Sequence, residues 1–260
     1  MNKLLTQLLT QLNLPNNLFR LKKNRQSVRG LFTTKSYEKG EEILKLPVFE
    51  TRRTILNRQS DSFQTFIHHS PSYNRLSKNG QFAALLSITR LNKMISHYWK
   101  MIPTEKKELK WNVWFWKPSE IDKSRFYRAY KEKLENEYDL FGSLYDEYTQ
   151  HFGKMIYSMK KKRFQEKCIL MRIMVTSRVF GFMNKTKDKH VVDMALVPIL
   201  DLLNHGNKEK YNTKWEYVDE GNYFVMTALK DIPKHTELLD SYGHNKSNET
   251  FRTFYGFIPK

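Results

Sequence analysis

Side chains able to bind a polar ligand or orient a nucleophile gather late in this chain: Arg178, Asp201, Asn204, His205, Asp240-Ser241-Tyr242-Gly243 and Tyr255. A guanidinium, an amide, an imidazole, carboxylates and phenols together supply every kind of hydrogen-bond donor and acceptor. Taken one at a time, each has a plain structural reading. Arg178 reads as a helix-surface cation, His205 as a hydrogen-bonded core histidine and Tyr242 as a buried strand tyrosine with a satisfied hydroxyl. Only their order as a set gives them weight. The single Cys168 excludes an internal disulfide and a cysteine-based zinc site, so no metal is expected and a reducing compartment fits.

The elements that must position these groups are readable from periodicity. With 260 residues, 40% of them hydrophobic and 28% charged, the chain can bury a core without staples. It has no apolar run near the roughly 18 residues of a membrane span. Leu4, Leu5, Leu8, Leu9 and Leu12 recur at helical spacing until Pro15. This short helix fits an uncleaved import signal, a docking helix for a partner, or a helix packed on its own domain. Two strand-like runs, 27–34 and 41–47, flank a turn ending in Gly40 and predict a β-hairpin. The stretch 81–102, with Phe82, Leu85, Leu86, Leu91, Ile95, Tyr98 and Trp99, predicts one long amphipathic helix stopped at Pro103. Helices follow over 119–158, with Ser119 as the cap, and over 164–182. Strands are predicted at 195–200, 211–218, 223–229 and 237–242, the middle two joined by the turn Asp219-Glu220-Gly221-Asn222. A final helix over 248–255 ends on Gly256.

Charge adds a separate constraint. Forty-five Lys and Arg against 27 Asp and Glu leave +18, with a pI near 9.7, which favours contact with a polyanion or an acidic partner. No acid precedes Glu38, while Lys3, Arg20, Lys22, Lys23, Arg25, Arg29 and Lys35 all do. A second basic cluster is Lys160-Lys161-Lys162-Arg163.

The run Ala195-Leu196-Val197-Pro198-Ile199-Leu200-Asp201-Leu202-Leu203-Asn204-His205 is followed by Asp240-Ser241-Tyr242-Gly243, Ser247-Asn248 and Tyr255-Gly256-Phe257. Upstream lie Arg29-Gly30-Leu31, Lys39-Gly40-Glu41-Glu42-Ile43 and Val175-Thr176-Ser177-Arg178. In this order the pieces resemble a SET domain. More closely they resemble the branch typified by the Rubisco large-subunit methyltransferase, the ribosomal lysine methyltransferases and the actin histidine methyltransferase.

The resemblance implies an α+β fold, a SET-type β-fold of several small sheets with a pseudoknot-like C-terminus and a large helical insertion. It divides the chain into a basic amphipathic extension (1–26), the N-terminal part of the domain (27–50), the helical insertion (51–190) and the C-terminal part (191–260). It further implies methyl transfer from S-adenosylmethionine to a protein lysine. Tyr242 and Tyr255 would be the catalytic tyrosines, the hydroxyl at Tyr255 favouring lysine over histidine. Arg29, Gly30, Arg178, Asp201, Asn204 and His205 would contact the cofactor. Three features depart from the branch. Val28 stands where the first glycine of a Gly-x-Gly is usual, and its branched Cβ is expected to narrow the space for cofactor. Gly206 replaces a polar residue, and the chain stops at Lys260 without the helical substrate-binding domain. The expected substrate is a ribosomal or other nucleic-acid-associated protein, with RNA contact through the basic surface. The expected location is intracellular, in cytoplasm, nucleus or mitochondrial matrix. The alternative is a degenerate, non-catalytic SET fold serving as a structural component of a ribonucleoprotein such as a mitochondrial ribosome.

Overall fold

Alternation of apolar and basic residues makes Phe19–Lys23 (β1) a strand whose Phe19 and Leu21 face the core while Arg20, Lys22 and Lys23 face solvent. The computed structural model that shows this describes residues 2–24, 28–89, 92–153, 158–186, 189–218, 220, 222–243 and 245–259, with 184–186 and 189–191 as backbone alone. Ser27, Leu91, Asp219 and Gly221, which belong to the predicted strand, helix and turn, lie outside the described residues.

The leucine-rich helix α1 (Asn2–Gln11) buries Leu5, Leu8 and Leu9 on its own domain. Asn2 clasps β1, accepting from the Leu21 amide at 2.8 Å and donating to the Leu21 carbonyl at 3.2 Å. At its other end Gln11 donates to the Lys93 carbonyl at 2.7 Å. Of the three roles the spacing allowed, packing on the same domain is the one observed.

Strand β2 (Arg29–Thr33) corrects the predicted hairpin. Its neighbours are β1 and β10 (Glu237–Asp240), whereas β3 (Glu42–Pro47) pairs with β9 (Tyr223–Ala228) in a different sheet. The intervening turn is pinned elsewhere: Tyr37 N donates to the Ile232 carbonyl at 2.9 Å, and the reverse bond is 2.8 Å. Both edges of β2 are thus occupied before β3 could reach it. Three sheets result. They are ordered β1-β2-β10-β7, with β7 at Asn204–His205; β3-β9-β8, with β8 at Thr213–Val218; and β4-β6-β5, from Glu50–Thr51, Lys189–Leu196 and Val179–Thr186. β8 and β9 are antiparallel neighbours, as the predicted joining turn requires.

Between β4 and β5 the chain is helical. Short helices α2 (Arg52–Asn57), α3 (Asp61–His69), α4 (Pro71–Arg75) and α5 (Lys78–Ile88) each begin on a hydroxyl cap: Thr51, Ser60, Ser70 and Ser77. The single helix predicted over 81–102 is broken. Thr89 ends α5 in extended backbone with its hydroxyl on the Leu85 carbonyl, and Asn92 caps a new turn leading into α6 (Ser96–Trp99). After α7 (Lys106–Leu109) and α8 (Pro118–Ile121) come the long helices α9 (Arg125–Phe152) and α10 (Lys161–Arg178). Ser119 does not cap α9. Ser124 does, accepting from the Phe126 amide at 3.1 Å, and left-handed Gly153 ends it at φ 64°. The predicted extension of α10 to residue 182 fails at Val179, where β-branched and aromatic residues enter β5 and pair with β6. Of the strand foreseen at 195–200 only Ala195 and Leu196 are strand, the end of β6; a turn with buried Ile199 at φ 74° then leads into a 3-10 turn at Leu200–Leu202. Helix α11 (Asn248–Tyr255) ends on Gly256 at φ 82° as expected.

The core of the helical part is Phe82, Leu134, Phe141, Leu144 and Phe164, with α5 and α9 packed against α10. A buried ion pair, Arg172 Nε to Glu137 Oε2 at 2.5 Å, joins α10 to α9. Among the described residues no helix is long and apolar enough to cross a membrane, and no group of three or more His, Cys, Asp or Glu is placed to hold a metal ion.

Candidate active site

Three chain segments far apart in sequence meet around β10. β2 flanks it antiparallel, with Leu31 opposite Leu238, and β7 flanks it parallel, with Asn204 opposite Leu239 and His205 opposite Asp240. The Asn204 amide crosses β10, donating to the Arg29 carbonyl and to Glu237 Oε1, both at 2.8 Å. Asn24 also donates to Glu237 Oε1, at 3.3 Å. Gly30 leaves room for this approach, because a Cβ there would overlap the Glu237 carboxylate, which would have to shift, and lie 3.1 Å from Asn204 Nδ2. Val28 does not take left-handed backbone and is half exposed, its side chain turned to solvent. Gly206 proves obligatory: a Cβ would fall 2.6 Å from the Tyr211 amide nitrogen.

Behind this layer sits a buried charged knot. Arg178, the last residue of α10, donates from Nη1 to the Asp201 carbonyl at 2.9 Å and to Asp201 Oδ2 at 3.0 Å. The Tyr98 hydroxyl of α6 donates to the same oxygen at 2.9 Å. The strained backbone at Ile199 turns the chain so that Asp201 enters the interior two residues later. Burial pushes the Asp201 carboxyl up, against the pull of Arg178 and Tyr98. Burial also opposes the charge of Arg178, but Asp201 and Tyr98 together outweigh it and hold the guanidinium firmly protonated. Arg29 stands close enough to feel both: burial first, then the charge of Arg178, lower its pKa, while Asp201 raises it. Arg178 and Arg29 thus both face Asp201, and Glu108 also acts on Arg29. Arg178 Nε and Asp201 Oδ1 are buried without a hydrogen-bond partner.

The aromatic side of the site is Tyr242, Tyr255 and His205. Tyr242 and Tyr255 stand 4.7 Å apart between ring centroids, and the His205 ring is 5.4 Å from Tyr242 and 4.9 Å from Phe251. The Tyr242 amide donates to His205 Nδ1 at 3.2 Å, and the Tyr242 hydroxyl donates to the Leu203 carbonyl at 2.5 Å. Burial raises the Tyr242 phenol well above its ordinary value despite Arg178, and burial also raises Tyr255. Both hydroxyls therefore stay protonated near neutrality and can orient a nucleophile but not act as bases.

All eight residues singled out in the sequence fall in this one region. Tyr98, Glu237 and Asn24 were not singled out. Tyr98 is read from its spacing as a core aromatic, and its hydrogen bond to Asp201 spans 103 residues, which no local pattern announces. The buried, unpartnered Nε–H of Arg178, with Arg29 nearby, suits the carboxylate of a methionine-type cofactor.

Comparison with known proteins gives the family and the fold. The SET domain profile matches residues 28–243. SET domain-containing protein 8 of Schizosaccharomyces pombe is 34% identical over 68 residues, 26% of this chain and 15% of that protein. Among solved structures, the SET domain of LSMT bound to lysine and AdoHcy superposes over 100% of this chain with a TM-score of 0.68 at 16% identity. Rubisco LSMT bound to AdoMet superposes over 98% with a TM-score of 0.65, also at 16% identity. This chain spans 58% and 56% of the lengths of those two structures. The chain belongs to the SET-domain family.

Proposed function

We propose that this protein is an S-adenosylmethionine-dependent protein-lysine N-methyltransferase acting on a ribosomal or other nucleic-acid-associated protein. The observation that carries the reading is the convergence of the Tyr242–Tyr255 pair, 4.7 Å apart, with the Arg178–Asp201 knot and the Asn204 crossing. Residues 27–50 and 191–260 would form the catalytic domain, 51–190 the insertion that frames it, and 1–26 a basic extension.

When bound, the cofactor supplies an electrophilic methyl carbon on a sulfonium. Arg178, with Arg29 beside it, would hold the cofactor carboxylate, while Asn204, His205 and the Gly30 backbone would position the remainder. Asp201 keeps Arg178 in place. Tyr242 and Tyr255 would form the walls of a narrow channel for the substrate side chain. Desolvation there disfavours an ammonium, so the lysine sheds its proton to solvent before transfer. The hydroxyl of Tyr242, protonated and anchored on the Leu203 carbonyl, orients the neutral amine. The exposed Arg20, Lys22 and Lys23 on β1, within a chain of net charge +18, support a nucleic-acid-associated target in cytoplasm, nucleus or mitochondrial matrix.

One observation favours the non-catalytic alternative, a structural component of a ribonucleoprotein such as a mitochondrial ribosome. The Asn204 amide is already engaged by Arg29 and Glu237. Calorimetry with S-adenosylmethionine separates the two. Micromolar binding, with transfer to a ribosomal protein fraction abolished by Tyr242→Phe while binding is kept, supports the transferase. Absence of binding by folded protein refutes it, and RNA affinity falling steeply with salt would then mark the alternative.

A further inference from the structure

Lys246 follows Tyr242 by four residues and precedes the α11 cap Ser247, in a segment exposed to solvent. Its side chain nevertheless folds back onto the Tyr242 backbone, toward the Tyr255 ring. Nζ donates to the Tyr242 carbonyl and lies 5.8 Å from the Tyr255 ring centroid, within cation–π reach. Gly243 makes the room: at φ 113° it has no side chain, and a Cβ there would stand 2.7 Å from Nζ. Other lysines also sit over rings, Lys35 on Tyr37, Lys45 on Tyr223 and Lys131 on Trp114, but those rings belong to other parts of the molecule. Among these, Lys246 alone reaches residues of the candidate channel, through the backbone carbonyl of Tyr242 and the ring of Tyr255.

We infer that Lys246 is a self-methylation site, its amine held at the Tyr242–Tyr255 pair by its own backbone. The inference rests on the transferase reading and adds an acceptor within the chain. Partial burial lowers the pKa of the amine, against the pull of nearby Asp240, which eases loss of its proton. In the reaction the ammonium first releases a proton to solvent. The Nζ lone pair then forms a bond to the methyl carbon of a sulfonium donor, the carbon–sulfur bond breaks, and its electron pair stays on sulfur, giving N-methyl-lysine and a neutral thioether. Tethering four residues from Tyr242 raises the effective concentration of this amine to the millimolar order, above that of a dilute external substrate.

The test uses the full-length purified chain. Incubated with S-adenosylmethionine, it should gain the mass of one or more methyl groups, placed on Lys246 by peptide fragmentation, at a rate per molecule unchanged on dilution. Lys246→Arg should lose that increment. A second readout needs no donor. In protein reductively methylated with carbon-13, the Lys246 resonance, identified by its disappearance in Lys246→Arg, should be shifted upfield by the Tyr255 ring and return to the random-coil position in Tyr255→Leu. A random-coil resonance in the unsubstituted protein overturns the inference. So does donor binding with methylation of added ribosomal protein while Lys246 stays unmodified, which leaves the transferase reading intact. If the folded protein binds no donor, both fall together.

Discussion

Arg178 Nη1 lies 3.0 Å from Asp201 Oδ2, a carboxylate with no solvent exposure, and the phenol of Tyr98 donates to the same oxygen at 2.9 Å. One acid therefore fixes the end of α10 to the turn that precedes β7, and α6 supports it from behind. Removing the acid would strand a buried cation. Asp201→Ala should cost about 3 to 5 kcal/mol in urea unfolding. Tyr98→Phe, which deletes one hydrogen bond and leaves the pair, should cost only about 1 to 2 kcal/mol. Equal losses from the two substitutions would contradict the arrangement.

Gly30→Ala tests the approach of β2 to Glu237. The added methyl must push the carboxylate away from Asn204, so cofactor affinity measured by calorimetry should fall about tenfold, or about 1.4 kcal/mol. Folding stability should drop by about 1 to 3 kcal/mol. Glu237→Ala in the same molecule should restore much of the stability, a coupling that a double-mutant cycle reads directly. Additive effects would show that the two side chains do not meet.

Asp240 gives a pH signature. Burial pushes this carboxyl from its ordinary 3.8 up to about 6, against hydrogen bonds from Ser241 and Trp215. The folded state then holds a proton that the unfolded chain has released, so the contribution of this group to stability is greatest at acid pH and declines as pH rises through that window. The decline amounts to about 3 kcal/mol in order of magnitude. Thermal or denaturant unfolding of Asp240→Asn against the parent, from acid to neutral pH, should show a difference that varies over that window and is flat above it. A difference independent of pH would remove the titration.

Cys168 should be chemically silent in the folded protein. It is fully buried on α10, and burial raises its thiol to about 12. Modification by an aromatic disulfide reagent near neutral pH should proceed no faster than unfolding and become immediate in denaturant. Rapid labelling of native protein would show that α10 opens.

Much of this molecule was legible without coordinates wherever the signal is local. The leucine stripe of α1, the Asn204-His205 and Tyr242-Gly243 pieces and the α11 stop at Gly256 depend on neighbours a few residues away, and those neighbours are printed in the chain. What tertiary structure alone decided is pairing across long separations. β2 and β3 read as one hairpin because both are strand-like and a turn lies between them, yet each found a better edge in a strand roughly 180 to 200 residues later. Spacing likewise showed Tyr98 as an apolar-face residue but not that its hydroxyl would meet Asp201, since a helical period specifies which face is buried and is silent about what it is buried against. The return of Lys246 onto Tyr242 and Tyr255 had no signal either. It depends on left-handed Gly243 opening a space that only the folded backbone defines.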